Sequence, residues 1–146
     1  MKTSDDPIII TEFFDSPVES VWRALTEIGE MRKWYFENIP EFKPEMGFKT
    51  EFIVKSEEKI FLHKWEVIEV TPFQLIKYIW RFEKYNGASS TCFELLKQDK
   101  QTMLKLTVDV LEDFQEDIPE FKRESCIAGW NYFINNRLKE YLNNQV

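Results

Sequence analysis

The sequence predicts an α+β fold in which a curved antiparallel six-stranded sheet holds a long C-terminal helix, with two short helices between the first and second strands. Three observations carry this. A β-rich run, Ile8 to Phe14, gives way at once to a helical period from Val18. From Gly47 to Asp109 the apolar residues recur every second position, the period of strands half-buried in a sheet. The last part of the chain returns to helical spacing, with Ile127, Trp130, Ile134, Leu138 and Tyr141 three or four residues apart. Helices at both ends of an antiparallel meander make a layered α+β structure, and only the final helix is long enough to cover the apolar face of the sheet.

Taken in order, Ile8-Ile9-Ile10-Thr11-Glu12-Phe13-Phe14 is the first strand. Asp15-Ser16-Pro17 breaks it, and Ser16, Pro17 and Glu19 read as N-cap, first helical residue and capping box. Val18, Val21, Trp22 and Leu25 form the apolar face of a helix that Gly29 ends; a second short helix runs through Met31 to Tyr35 and is closed by Pro40 and Pro44. Phe48, Thr50, Phe52 and Val54 share a face of the second strand, and His63, Trp65 and Val67 share one of the third. After the turn at Thr71-Pro72, Ile76, Tyr78, Trp80 and Phe82 line the fourth. Asn86-Gly87 is a hairpin signal, leading to Thr91, Phe93 and Leu95. Gln98 to Gln101 turns into the sixth strand, with Leu104, Leu106 and Val108 on one face. Lysines and carboxylates alternate with these residues, so the other face of the sheet meets water. The acidic stretch from Glu112 to Asp117 is a solvated lead-in to a helix over Pro119 to Leu142. No repeat or linker divides the chain, and residues 1–146 read as a single domain.

Composition bounds the function. A net charge of -7 and a pI of about 4.9 oppose nucleic-acid binding, which depends on lysine and arginine neutralising phosphates. The same charge disfavours anionic membrane surfaces, and no apolar run has the length of a membrane span. The N-terminus shows no apolar core of a signal peptide, so a cytoplasmic protein is expected. Cys92 and Cys126 stand far apart and form no CxxC pair, so they read as buried free thiols. With one histidine, two separated cysteines and 4 glycines, neither a metal cluster nor a phosphate-binding loop is indicated, and no cofactor is expected.

Several segments, in order along nearly the whole chain, resemble a known family. They are Ser16-Pro17-Val18-Glu19 running into Val21-Trp22-Arg23-Ala24-Leu25-Thr26, then Lys33-Trp34-Tyr35, Met46-Gly47-Phe48, Trp65 to Pro72, Tyr78-Ile79-Trp80, Thr91 to Leu95, Thr102 to Leu106, and Gly129-Trp130 followed by Leu138. The series resembles the START-like, or helix-grip (SRPBCC), superfamily, in the branch named for the activator of the heat-shock-protein-90 ATPase. The resemblance implies a helix-grip fold with a cavity between sheet and helix. It spans lipid and hydrophobic-ligand carriers, polyketide cyclases, hormone receptors and chaperone cofactors, so it transfers no single activity. Where the family's third strand often carries a glycine, this chain has Lys64 and Trp65, and the bulky ring narrows the cavity.

Aromatics make up 16% of the chain. Trp34, Phe48, Phe52, Trp65, Tyr78, Trp80, Phe93 and Trp130 fall on the inferred inward faces, where they either fill a core or line a pocket. His63, the only histidine, lies on the same inward face and is either a group that orients a ligand or a ring bonded to a backbone carbonyl. These nine residues are the expected ligand-binding set; no catalytic set is recognisable. Glu12 and Glu69 lie on strands, inward or at an edge. The leading expectation is a binder of a small apolar or amphipathic molecule. The alternatives are a cyclase- or lyase-type enzyme on the same cavity and a protein-interaction module resembling a chaperone-ATPase activator, and a protein partner or a homodimer stays open.

Overall fold

The computed structural model describes residues 1–145. The strands are β1 (Ile8–Phe14), β2 (Lys49–Ser56), β3 (Lys59–Thr71), β4 (Leu75–Phe82), β5 (Ala88–Gln98) and β6 (Gln101–Glu112). They form one antiparallel sheet in the order β1-β6-β5-β4-β3-β2. Helices α1 (Val18–Thr26) and α2 (Ile28–Trp34) carry the chain from one sheet edge, β1, to the other, β2. The expected α+β helix-grip architecture, with two short helices between the first two strands, is the one observed.

The inward residues pair across strands as the alternation requires. Trp65 stands opposite Trp80, Val67 opposite Tyr78, Ile76 opposite Phe93, and Phe52 opposite His63. A bulge at Ile68, between Val67 and Glu69, bends the long β3, and a second at Leu111, opposite Ala88 and Ser89, bends the end of β6. Bulges strengthen local twist and curve a sheet, which is what lets this one wrap a helix without closing.

The C-terminal helix departs from expectation. Pro119–Phe121 is a separate 3-10 turn, and the continuous helix starts at Arg123. Its first part, α3 (Arg123–Trp130), passes into a π-helical stretch, Asn131–Leu138, and then α4 (Lys139–Asn143). Trp130, Ile134, Leu138 and Leu142 are the buried residues. These four are spaced four apart, and Ile127 and Tyr141 of the stripe read from the sequence pack against the same core half-buried. Tyr141 lies partly buried at the edge, its hydroxyl donating to Glu30 (3.0 Å).

Other local readings also change. Ser16 does not cap α1: the cap position falls on Pro17, with no side-chain cap bond, and the Ser16 carbonyl accepts from the Thr102 hydroxyl (2.7 Å). Gly29 does not end that helix. It lies inside α2, and the break falls at Glu27 in an extended conformation. Asn86-Gly87 does lie in the β4–β5 hairpin connection, but that connection is longer than two residues, because Arg81 is the last β4 residue to pair with β5, opposite Ala88. Gly87 is needed for a different reason: at φ 118° its would-be Cβ lies 2.9 Å from the backbone of Phe114 and nearer still to its ring. The outer face is not uniformly charged either. Phe13, Met103 and Leu96 stand in register across β1, β6 and β5 and face outward, with Phe13 and Leu96 exposed.

The C-terminal helix also closes the free edge of β1. Arg123 donates to the Asp6 carbonyl, Asn135 to that of Thr11, and Lys139 to that of Phe13. An edge strand with unpaired backbone groups is a template for unwanted pairing; Asn135 and Lys139 occupy that edge, and Arg123 holds the segment just before it. Glu12 joins the arrangement as an edge carboxylate bonded to Asn135 (2.9 Å) and Lys139 (3.2 Å), and Glu69 is solvent-exposed. Cys92 is buried and Cys126 half-buried, both as free thiols.

Candidate ligand-binding site

A cavity of about 150 Å³ lies between the sheet and the start of the C-terminal helix. Strand β4 contributes Trp80 and Phe82 to its wall, β5 Ser89 and Thr91, and β6 Val108. The helix adds Cys126, Gly129, Trp130 and Phe133, and Phe36, Phe114 and Phe121 close the sides. Met1 borders it too, its amino group donating to the Phe121 carbonyl (3.1 Å). The position follows from the sequence. Serine and threonine stand at the inward β5 positions where Phe93 and Leu95 stand further along, so the smaller side chains leave room at this end.

The wall is mostly aromatic, with a sparse set of polar groups. Burial holds the Cys126 thiol neutral by pushing its pKa up to about 11. Glu120 borders the cavity but is engaged, accepting from Lys59 (2.9 Å) and Ser56 (2.8 Å). The Lys59 bond holds that carboxyl below its usual range, so it stays ionised and has no proton to give. Among the described residues the buried indole N–H groups of Trp65 and Trp80 have no hydrogen-bond partner. Trp80 is on the cavity wall.

The nine residues singled out in the sequence divide sharply. Trp80 and Trp130 border the cavity. Trp34, Phe52, His63, Trp65, Tyr78 and Phe93 are buried in the adjoining core, and Phe48 packs against it half-buried. Trp65 sits where a smaller residue would open the centre: its ring lies 4.8 Å from Tyr78, 4.9 Å from Phe52 and 5.1 Å from Trp80. Trp34 donates its indole N–H to the Ala24 carbonyl (2.7 Å), which ties α2 to α1. His63 is held by the backbone, Nδ1 lying 3.1 Å from the Phe61 carbonyl, with its ring stacked on Phe52. Desolvation lowers its pKa from 6.5 to about 4, so the imidazole is neutral at neutral pH.

Two features were not read from the sequence. Tyr35 turns inward, and its hydroxyl bonds that of Tyr78 at 2.8 Å. Burial holds both phenols above their ordinary pKa. Phe36, beside it, packs at 5.0 Å against Phe133. Both Tyr35 and Phe36 follow the second helix, in a stretch without a strand period to assign their direction. The clustering of Trp34, Tyr35 and Phe36 was the only available signal.

Comparison with known proteins now places the chain. Residues 15–143 match the family described as Activator of Hsp90 ATPase homolog 1-like protein. The chain belongs to that family. No curated protein matches it. Solved structures share the fold at low identity. Protein CV1439 from Chromobacterium violaceum is 20% identical, with 95% of this chain and 98% of that one covered and a TM-score of 0.77. MLL2253 from Mesorhizobium loti is 21% identical, with 97% and 99% covered and a TM-score of 0.77. DynU16, from the dynemicin biosynthetic locus, is 21% identical, with 96% of this chain but 48% of that one covered and a TM-score of 0.76. The helix-grip superfamily that the sequence resembled is therefore the one to which it belongs. Among the described residues no helix is long and apolar enough to cross a membrane.

Proposed function

We propose that the protein binds a small hydrophobic or amphipathic molecule in the cavity between its sheet and C-terminal helix. One observation carries the reading: the helix and strands β4 to β6 leave about 150 Å³ walled chiefly by rings, with Ser89, Thr91 and the Cys126 thiol among its few polar groups. An apolar enclosure with a few convergent polar groups is the usual form of a small-molecule site. An apolar cavity of this size has room for a benzene-sized guest. The guest binds the native state alone, so it stabilises folding. Thermal melts with increasing toluene test this: a saturating rise in Tm is expected. No rise, with an apolar dye binding only in the unfolding transition, identifies a filled core instead.

A cyclase-like enzyme on the same cavity is a second reading, favoured by the likeness to DynU16 and its biosynthetic locus. It needs an acid and a base facing the guest. Among the described residues Glu120 is the one carboxylate on the wall and is bonded to Lys59, while His63 is not on the wall. Loss of turnover in Glu120→Gln, on any polyketide-like substrate the protein converts, would favour the enzyme over the carrier.

A further inference from the structure

Outside the cavity a groove of about 530 Å³ runs between the loop after α2, the edge of β2 and the π-helical stretch. Phe36 and Phe133 belong to the walls of both spaces. Their rings meet edge-on, centroids 5.0 Å apart and planes at 64°, so this pair forms part of the wall between cavity and groove. Phe133 sits on the π-helical stretch, a rare geometry that gathers at functional sites.

The groove is cationic on a chain whose net charge is -7: Arg32, Lys55 and Arg137 line it against one carboxylate, Glu37. Among the described residues none of the three cations has a carboxylate within ion-pair distance, whereas seven others do. The two guanidiniums are oriented instead by neutral oxygens. Arg32 donates to the carbonyls of Ile39 (2.9 Å) and Pro40 (3.0 Å). Arg137 donates to the carbonyl of Lys33 (2.7 Å) and the hydroxyl of Tyr132 (3.2 Å). Such bonds position a charge without neutralising it.

We propose that the Phe36–Phe133 pair is a gate, and that the groove holds the carboxylate head of an amphipathic ligand whose apolar body passes between the rings into the cavity. This rests on the cavity being a binding site and adds the chemical class of the ligand and its route of entry. Arginine and lysine at the mouth attract the anion, and the aromatic wall takes the body once the rings part.

Octanoate and 1-octanol, of equal chain length and differing in charge, test it by titration calorimetry and stopped-flow tryptophan fluorescence. Octanoate is expected to bind more tightly. The Lys55→Gln/Arg137→Gln variant should weaken octanoate by about three- to tenfold, the scale of two exposed ion pairs, and leave 1-octanol unchanged. Added salt should likewise weaken octanoate alone. Arg137→Lys, which keeps the charge, should retain most of the octanoate preference, separating charge from folding. Phe133→Ala should speed the association of both ligands. Equal responses of the two ligands to the charge variants overturn the head-group site while the cavity reading stands. Unchanged association rates in Phe133→Ala overturn the gate. If neither ligand binds the protein or Phe133→Ala, the cavity reading itself fails and this inference fails with it.

Discussion

The hydroxyls of Tyr35 and Tyr78 stand 2.8 Å apart in the core, on residues only 5% and 1% exposed. One lies just past α2 and the other on β4, so this bond ties the helical crossover to the centre of the sheet. Each phenol is the other's partner. Removing one hydroxyl leaves the other buried and unpaired, at a cost of about 1–3 kcal/mol. Tyr35→Phe and Tyr78→Phe are each expected to destabilise by that amount in urea melts. The double variant should lose clearly less than the sum of the two, because no orphan remains. Additive losses would show that the bond does not form.

His63 predicts a pH dependence. The unfolded chain takes up a proton near 6.5 and the folded one near 4, so between those values the unfolded state binds more protons. Stability from the neutral, buried ring is full above about pH 6.5 and falls as the pH drops toward 4. The shift corresponds to roughly 3 kcal/mol. Because His63 is the only histidine, comparing the protein with His63→Phe isolates the effect from that of the carboxylates. The variant's denaturation midpoint should change less over that interval. Identical pH profiles would mean that the imidazole is solvated in the folded protein.

Trp130 anchors the helix on the sheet. Its ring lies 5.7 Å from Trp80, 5.8 Å from Tyr35 and 5.9 Å from Phe93. Trp130→Ala should cost about 3–5 kcal/mol, as large aromatic truncations in cores do. A loss under about 1 kcal/mol in denaturant melts would remove this residue from the core.

Much of the sheet was legible because a period of two leaves little freedom. Once Trp65 and Trp80 are assigned inward, pairing the strands sets them opposite each other, and they are. Side-chain direction along a strand is a local property. Whether a ring fills space or borders it is not, since that depends on what the helix brings from more than thirty residues away along the chain. Trp80 and Phe93 had the same signature in the sequence, yet the first borders the cavity and the second is buried in the core beside it. The room comes from Ser89 and Thr91, which carry no aromatic signal. The π-helical stretch was hidden for a similar reason. Asn131 to Leu138 has no breaker to mark the change of pitch. The groove cations were unreadable because Arg32, Lys55 and Arg137 come from three separate elements and meet only in the fold.

The central claim is that the space between helix and sheet is a binding cavity. Titration calorimetry with toluene tests it most directly, on the protein and on Cys126→Phe, which places a ring in the cavity from the helix side. The protein should bind one toluene per chain, and Cys126→Phe should bind none while melting cooperatively. Equal binding by the two proteins, or no binding by either, would contradict it.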